Sequence, residues 1–365
     1  MTMHELTYQV SFNTPAFLGN AEQQAQWRTP PFKALLRQWW RIVKAPSLGY
    51  DHKRLLDAEN ELFGSALDGE ERSRSKVQLR LSAWDGGTLT TVQKGQDIDH
   101  EESPTKKVGA NTYLGYGPIG AGKDRNAISP LTSKTELRLR FPDVNAKDIC
   151  SALQLAHWFG ALGSRSRNGW GAVNLEGGGL LPSKDLKTEL LQSMGVVLRA
   201  ENCLQRDWPH AIGCDSDGLP TVWRLLKLEN KQLDGFHKWE DVMFELARIK
   251  VAVRTSNYFK FTGGGKNGHE KPDSRHVLSY PSGSQHVVNA WGKDARVANQ
   301  VRFKVHRRTD GKFMAFIVHL PCAVPEPLAS KVKFGVPDQK AIWTEVHRLL
   351  DAQRVNGLIR LAGAT

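Results

Sequence analysis

Apolar and polar residues alternate from Leu6 to Phe12, with Leu6, Tyr8, Val10 and Phe12 on one face, and this period of two predicts a half-buried strand. A turn-rich stretch through Pro15 and Gly19 leads to Thr29-Pro30-Pro31. There a helix is expected to open, with Thr29 as N-cap and proline in a first turn whose N–H groups lack partners anyway. It should run to about Lys44 and stop before Pro46. A second helix is expected over Lys53–Leu62, and alternation returns at Val77–Leu81 and Thr135–Phe141. Asn145 and Asp148 precede apolar positions at helical spacing (Ile149, Ala152, Leu153, Ala156, Phe159), which predicts a capped helix followed by a strand at Trp170–Val173. Residues 85–130, dense in Gly, Pro, Asp and Lys, read mostly as a long loop or insertion.

The second half is less regular. It offers a strand at Ile249–Val253, a Gly/Lys loop over 263–272, a hairpin of Val301–Val305 and Phe313–Leu320 turning at Asp310-Gly311, and a last helix over Gln339–Ala352. The order of elements predicts an α+β protein of two ferredoxin-like (RRM-like) domains with long loop insertions, residues 1–180 and 181–365. The stretch from Gly177-Gly178-Gly179 to Pro182-Ser183-Lys184 is the expected linker.

Hydrophobic residues make up 40% and charged residues 24% of the 365, which places the chain among folded proteins rather than disordered ones. No run approaches the ~18 apolar residues of a membrane span, and Met1–Val10 lacks the basic-then-apolar pattern of a secretory leader. Four scattered cysteines without a CxxC pair argue against a zinc ribbon or a disulfide framework, so a cytoplasmic protein is expected. Lys plus Arg total 50 against 38 Asp plus Glu, a formal charge of +12, and an excess of this size implies a polyanionic partner.

Two segments concentrate that charge. On the helix at 30–44, Phe32, Leu35, Leu36, Trp39 and Val43 share an apolar arc, while Lys33, Arg37, Arg41 and Lys44 form an adjacent stripe with Trp40 at the boundary. No Asp or Glu occurs between Glu22 and Asp51, so the stripe calls for an outside anion, and Trp40 is placed to stack a base. The loop Gly163-Ser164-Arg165-Ser166-Arg167-Asn168-Gly169-Trp170-Gly171 offers two arginines, two serines and an asparagine between glycines, a composition suited to phosphates.

These segments also carry a resemblance. Phe12-Asn13-Thr14-Pro15-Ala16-Phe17-Leu18-Gly19, the run from Pro31 to Arg41 with its Trp39-Trp40 pair, Leu62-Phe63-Gly64 and the run from Phe159 to Gly171 look like the ordered landmarks of the RAMP superfamily, and within it of subunit one of the Cmr (type III-B CRISPR) effector complex. Ala34 and Ala161 stand where glycine is common in that family, and the second half carries no matching landmark. The resemblance implies a non-catalytic, RNA-binding ribonucleoprotein subunit. Its partners would be the CRISPR guide RNA, target RNA and other RAMP subunits, near the end distal to the guide's 5′ tag. It implies no cofactor and no metal. RNA is then expected on Lys33, Arg37, Trp40, Arg41, Lys44, Ser164, Arg165, Ser166, Arg167 and Asn168, with Lys123 and Arg125 reaching it from the 85–130 segment.

Other chemistry is weaker. Gly117–Lys123 matches GxxxxGK, but Asp124 replaces the Ser or Thr that would ligand magnesium. His52, beside Tyr50, Lys53 and Arg54, supports the alternative of metal-independent RNA cleavage, which the surface position expected of a helix start disfavours. Asp207-Trp208-Pro209-His210 with Asp215 and Asp217 could approach a metal, although turn chemistry accounts for them. A protein cap whose basic surface meets acidic partners is the remaining reading.

Overall fold

The structure is a computed structural model, and it describes residues 2–65, 73–122, 124–261, 268–281, 285–332 and 336–362. The protein is a mixed α/β chain built around two four-stranded antiparallel sheets. Strand β1 (Met3–Phe12) is followed by helices α1 (Thr29–Lys44) and α2 (His52–Phe63), then β2 (Gln78–Leu81), β3 (Thr135–Pro142), α3 (Ala146–Phe159) and β4 (Val173–Glu176). These strands lie in the order β2-β3-β1-β4. The second half repeats the scheme with β5 (Val222–Leu225), α4 (Trp239–Arg254), β6 (Val301–Arg307), β7 (Phe313–His319), α5 (Val336–Asp351) and β8 (Leu358–Arg360), in the order β6-β7-β5-β8. Each sheet therefore has its first strand paired with its third and fourth, with a helix in each long connection.

The layers interlock. Helices α1 and α3 pack on each other, and α3 also touches β6 and β7. Strand β7 is buried at every position. Met314, Phe316 and Val318 join the core of the first half, while Phe313, Ala315 and Ile317 join the core with α4 and α5. Phe159 of α3 meets Phe316 with ring centres 5.8 Å apart. A fully buried Phe contributes roughly 1.5–3 kcal/mol, so this seam is a substantial part of the fold.

Several expectations change. Thr29 is the first helical residue and not the cap, because extended Arg28 precedes it and the prolines behind it offer no N–H for a cap to accept. Asn145 makes no side-chain cap bond, and Asp148 is taken by Lys44. The strand expected at Trp170–Val173 begins only at Val173, since Gly171 is tied by its N–H to the Pro15 carbonyl and by its carbonyl to the Leu162 N–H. Ile249–Val253 is helical, inside α4. Residues 85–130 are not a mere loop. They hold a small hairpin (97–99 with 107–109) and a helix (110–115) whose Ile98 and Leu114 join the second core. Glu102 of this insertion pairs with Arg275 at 2.6 Å. Of the loop expected over 263–272, residues 263–267 lie outside the described residues.

Candidate nucleic-acid interface

The stripe on α1 is satisfied from within. Arg37 Nε donates to Glu59 Oε1 at 2.5 Å, and Arg41 donates through Nε to Oε2 at 2.5 Å and through Nη2 to Oε1 at 2.6 Å. Lys44 pairs with Asp148 at 3.0 Å, and Lys33 Nζ donates to the Phe63 carbonyl at 2.8 Å. Burial, and then Arg37, lowers the Lys33 pKa. The anion inferred for the stripe is therefore the carboxylate of α2, which no local reading of the α1 sequence could see. Trp40 is 1% exposed and lies edge-on to Phe63, so it is a core residue and cannot stack a base.

The glycine loop is shaped by its neighbours. The N–H groups of Ser164 and Gly171 donate to the carbonyls of Phe17 and Pro15, and Thr14 Oγ1 donates to the Gly169 carbonyl at 2.7 Å. At Gly171, with φ +61°, a Cβ would stand 1.9 Å from the Leu162 carbonyl oxygen. Its glycine thus serves the turn itself and not the approach of a ligand. The Arg167 carbonyl accepts from the Phe303 N–H, which docks the loop near the start of strand β6.

What the loop presents is a cleft of about 760 Å³ between the two halves. Arg165, Ser166, Arg167 and Asn168 form one wall, and Lys250 and Arg254 from α4 with Arg296 form the other. No Asp or Glu lines it among the described residues. Lys250 Nζ donates to Asn168 Oδ1 at 2.9 Å, and Arg254 donates to Ser279 at 3.0 Å. Burial, then Arg254 and Arg165, holds Lys250 well below the ordinary lysine range. Arg165 donates to the carbonyl of Tyr116, whose ring is 58% exposed at the rim. Behind the loop, Arg302 is buried with its guanidinium 5.9 Å over Trp39, and burial followed by the charge of Arg167 lowers its pKa to about 9. Positive charge concentrated without carboxylates is what a phosphodiester backbone requires.

Thus Arg165, Ser166, Arg167 and Asn168 come together as expected, whereas Lys33, Arg37, Trp40, Arg41, Lys44 and Ser164 do not line the cleft. Lys250, Arg254 and Arg296 were missed. The first two stand four residues apart, a spacing the strand reading of 249–253 concealed. Arg125 is exposed and bonded to Gln23, and Lys123 lies outside the described residues. Asp124 closes its turn by accepting from the Gly120 N–H, in place of a P-loop helix. His52 sits edge-on against Trp208, and Asp215 accepts from two backbone N–H groups and pairs with Arg360, as turn chemistry would have it.

Residues 10–174 match the family model described as the RAMP superfamily. This stretch is similar to the RAMP superfamily. Two curated proteins of Pyrococcus furiosus are similar to the chain. CRISPR system Cmr subunit Cmr1-1 is 27% identical over 155 residues, 40% of this chain and 40% of that protein. Cmr subunit Cmr1-2 is 22% identical over 191 residues, 48% of this chain and 96% of that one. The match thus spans well under half the length of the first relative. Among solved structures, the crystal structure of apo Cmr1 from Pyrococcus furiosus overlaps 87% of this chain and 88% of its own at 15% identity and a TM-score of 0.41. A chain from the cryo-EM structure of the Type III-B Cmr-beta bound to cognate target RNA overlaps 96% and 100% at 13% identity and 0.44. No described helix of the chain is long and apolar enough to cross a membrane.

Proposed function

We propose that this chain is a non-catalytic, RNA-binding subunit of a type III-B CRISPR ribonucleoprotein effector complex that acts in antiviral defence. Guide or target RNA, near the end distal to the 5′ tag, lies in the cleft between loop 163–171 and helix α4. Two ferredoxin-like units, 1–180 and 181–365, supply its two walls, and other RAMP subunits are its protein neighbours. The observation that carries the reading is the cleft itself. Arg165, Arg167, Lys250, Arg254 and Arg296 face one space lined by no carboxylate among the described residues. Exposed Tyr116 at its rim offers a stacking face. Contact is chiefly to the sugar-phosphate chain, so binding is salt-dependent and shows little base preference.

The test is fluorescence anisotropy of single-stranded RNA against salt for the wild type and for Arg165→Ala with Arg167→Ala and Arg296→Ala. The variant is expected to bind at least about tenfold more weakly, with a salt slope shallower by roughly 0.7 per lost phosphate contact. Equal affinity and equal slope in the two proteins would remove the cleft from the mechanism.

A further inference from the structure

Strand β6 ends in a second cleft. Its first residues adjoin the loop cleft, and its last, His306 and Arg307, line a separate cavity of about 670 Å³. At ~3.3 Å per residue the seven residues of β6 set the two sites roughly 20 Å apart. One wall is the edge strand β4 with the segment up to Lys184, and the other is the β6–β7 turn.

Four cations line this cavity: Lys184, Arg224, Arg307 and Arg308. Arg308 is committed to Asp310 at 2.8 Å and Asp234 at 3.6 Å. Lys184 and Arg307 are exposed and have no acidic partner among the described residues. Arg224 donates from Nη2 to the Leu186 carbonyl at 3.1 Å and lies over Phe316, but its shielded Nε has no acceptor. The lone carboxylate in the lining, Glu176, accepts from the Asn174 amide at 2.8 Å. Between the cations lie the His157 and His306 rings, 5.8 Å apart, and an apolar wall of Leu180, Leu226 and Met314. Burial keeps both imidazoles uncharged near neutrality, His157 being pushed down to about 3.

We propose that this second cleft binds a single nucleotide, its phosphate on Arg224, Arg307 and Lys184 and its base against the apolar wall. The volume falls in the range of small-ligand sites, and a bare anion would leave the apolar wall idle. The nucleotide is either free or one unit of an RNA strand, because both present the same phosphate and base. The inference does not rest on the loop cleft.

The experiment is isothermal titration of the full-length chain, wild type and Arg165→Ala/Arg167→Ala, with AMP, with inorganic phosphate and with short RNA. AMP is expected to bind both proteins equally. Arg307→Gln with Lys184→Gln, two exposed positions that leave the fold intact, should weaken AMP by at least about tenfold. Arg224→Gln, half-buried, serves as confirmation once its thermal unfolding matches the wild type. If RNA displaces AMP from the Arg165→Ala/Arg167→Ala protein, a strand supplies the nucleotide; if it does not, the nucleotide is free. No saturable AMP binding, AMP binding unmoved by the Arg307 and Lys184 changes, or phosphate bound as tightly as AMP would each overturn the proposal. Loss of RNA binding in the loop variant alone speaks to the first cleft and leaves this one standing.

Discussion

Arg41 and Glu59 form a two-point ion pair between adjacent helices, Nε to Oε2 at 2.5 Å and Nη2 to Oε1 at 2.6 Å. Glu59 is 2% exposed and also holds Arg37, so its desolvation is offset by three charge-assisted bonds. Both arginines still reach water, 32% and 42% exposed, and can rehydrate if the carboxylate is lost. Glu59→Ala is therefore expected to cost about 2 kcal/mol in denaturant unfolding, below the cost of stranding a fully buried charge. Adding Arg41→Ala to that variant should cost little more, which a double-mutant cycle reads directly. Arg37→Ala and Arg41→Ala should leave RNA affinity unchanged.

The same pair marks where the sequence was legible. Strands β1, β2 and β3 and helices α1, α2 and α5 each carry one clear period because each buries one face, whereas α3, buried at every position from Ala152 to Phe159, and the β6–β7 hairpin were marked by apolar spacing and by the Asp310-Gly311 turn. Helix α4 buries Val242, Met243, Leu246, Ala247, Ile249, Val251 and Val253, so a short window of it satisfies a period of two as readily as a helical one. The Arg165–Asn168 wall was visible because composition alone singled it out. Lys250, Arg254 and Arg296 were not, since their proximity to the loop arises only when α4 docks. The stripe misled for the converse reason: its cations share one helix face, but their partners come from elsewhere, Glu59 of α2, the Phe63 carbonyl and Asp148 of α3.

If RNA occupies the cleft as proposed, Lys250 gives its binding a pH dependence. In the free protein its ammonium is disfavoured by burial and by Arg254 and Arg165. A phosphate in the cleft favours the charged form, so binding takes up a proton wherever free Lys250 is partly neutral. Affinity should fall as pH rises through the lowered pKa of Lys250, and Lys250→Met should flatten that fall. Anisotropy titrations across neutral and alkaline pH, with calorimetry in buffers of different ionisation enthalpy, check the proton count.

The glycine loop should be intolerant at Gly171. A methyl group there meets the Leu162 carbonyl at 1.9 Å on a backbone with φ +61°. Gly171→Ala must therefore break the turn that presents Arg165 and Arg167, and it should cost RNA affinity as much as removing both arginines. Gly122, at φ +100° with open space around it, is the control: Gly122→Ala should leave RNA binding unchanged. Equal RNA binding by Gly171→Ala and wild type would show the turn geometry to be dispensable.

At the seam between the halves, Lys304 is fully buried and its ammonium donates to the carbonyls of Gly160 and Val173. Burial holds its pKa well below the ordinary value. Between that lowered pKa and the unfolded value near ~10.4 the unfolded chain carries more protons, so stability rises with pH across this window. His157 and His306 nearby are lowered too, by burial and then by Lys304, and they add a separate rise that is complete near the unfolded histidine value of ~6.5. Stability should therefore climb with pH, the histidine part ending near ~6.5 and the Lys304 part continuing up to ~10.4 as an alkaline stage. Lys304→Met removes the cation and its two hydrogen bonds, but the Gly160 carbonyl keeps the Val173 N–H, so the cost is roughly 1–3 kcal/mol and does not vary with pH. Denaturant unfolding at a series of pH values separates the two effects. The variant should lose the alkaline stage and keep the acid one, and an alkaline stage of unchanged height would mean that Lys304 is not the group that titrates.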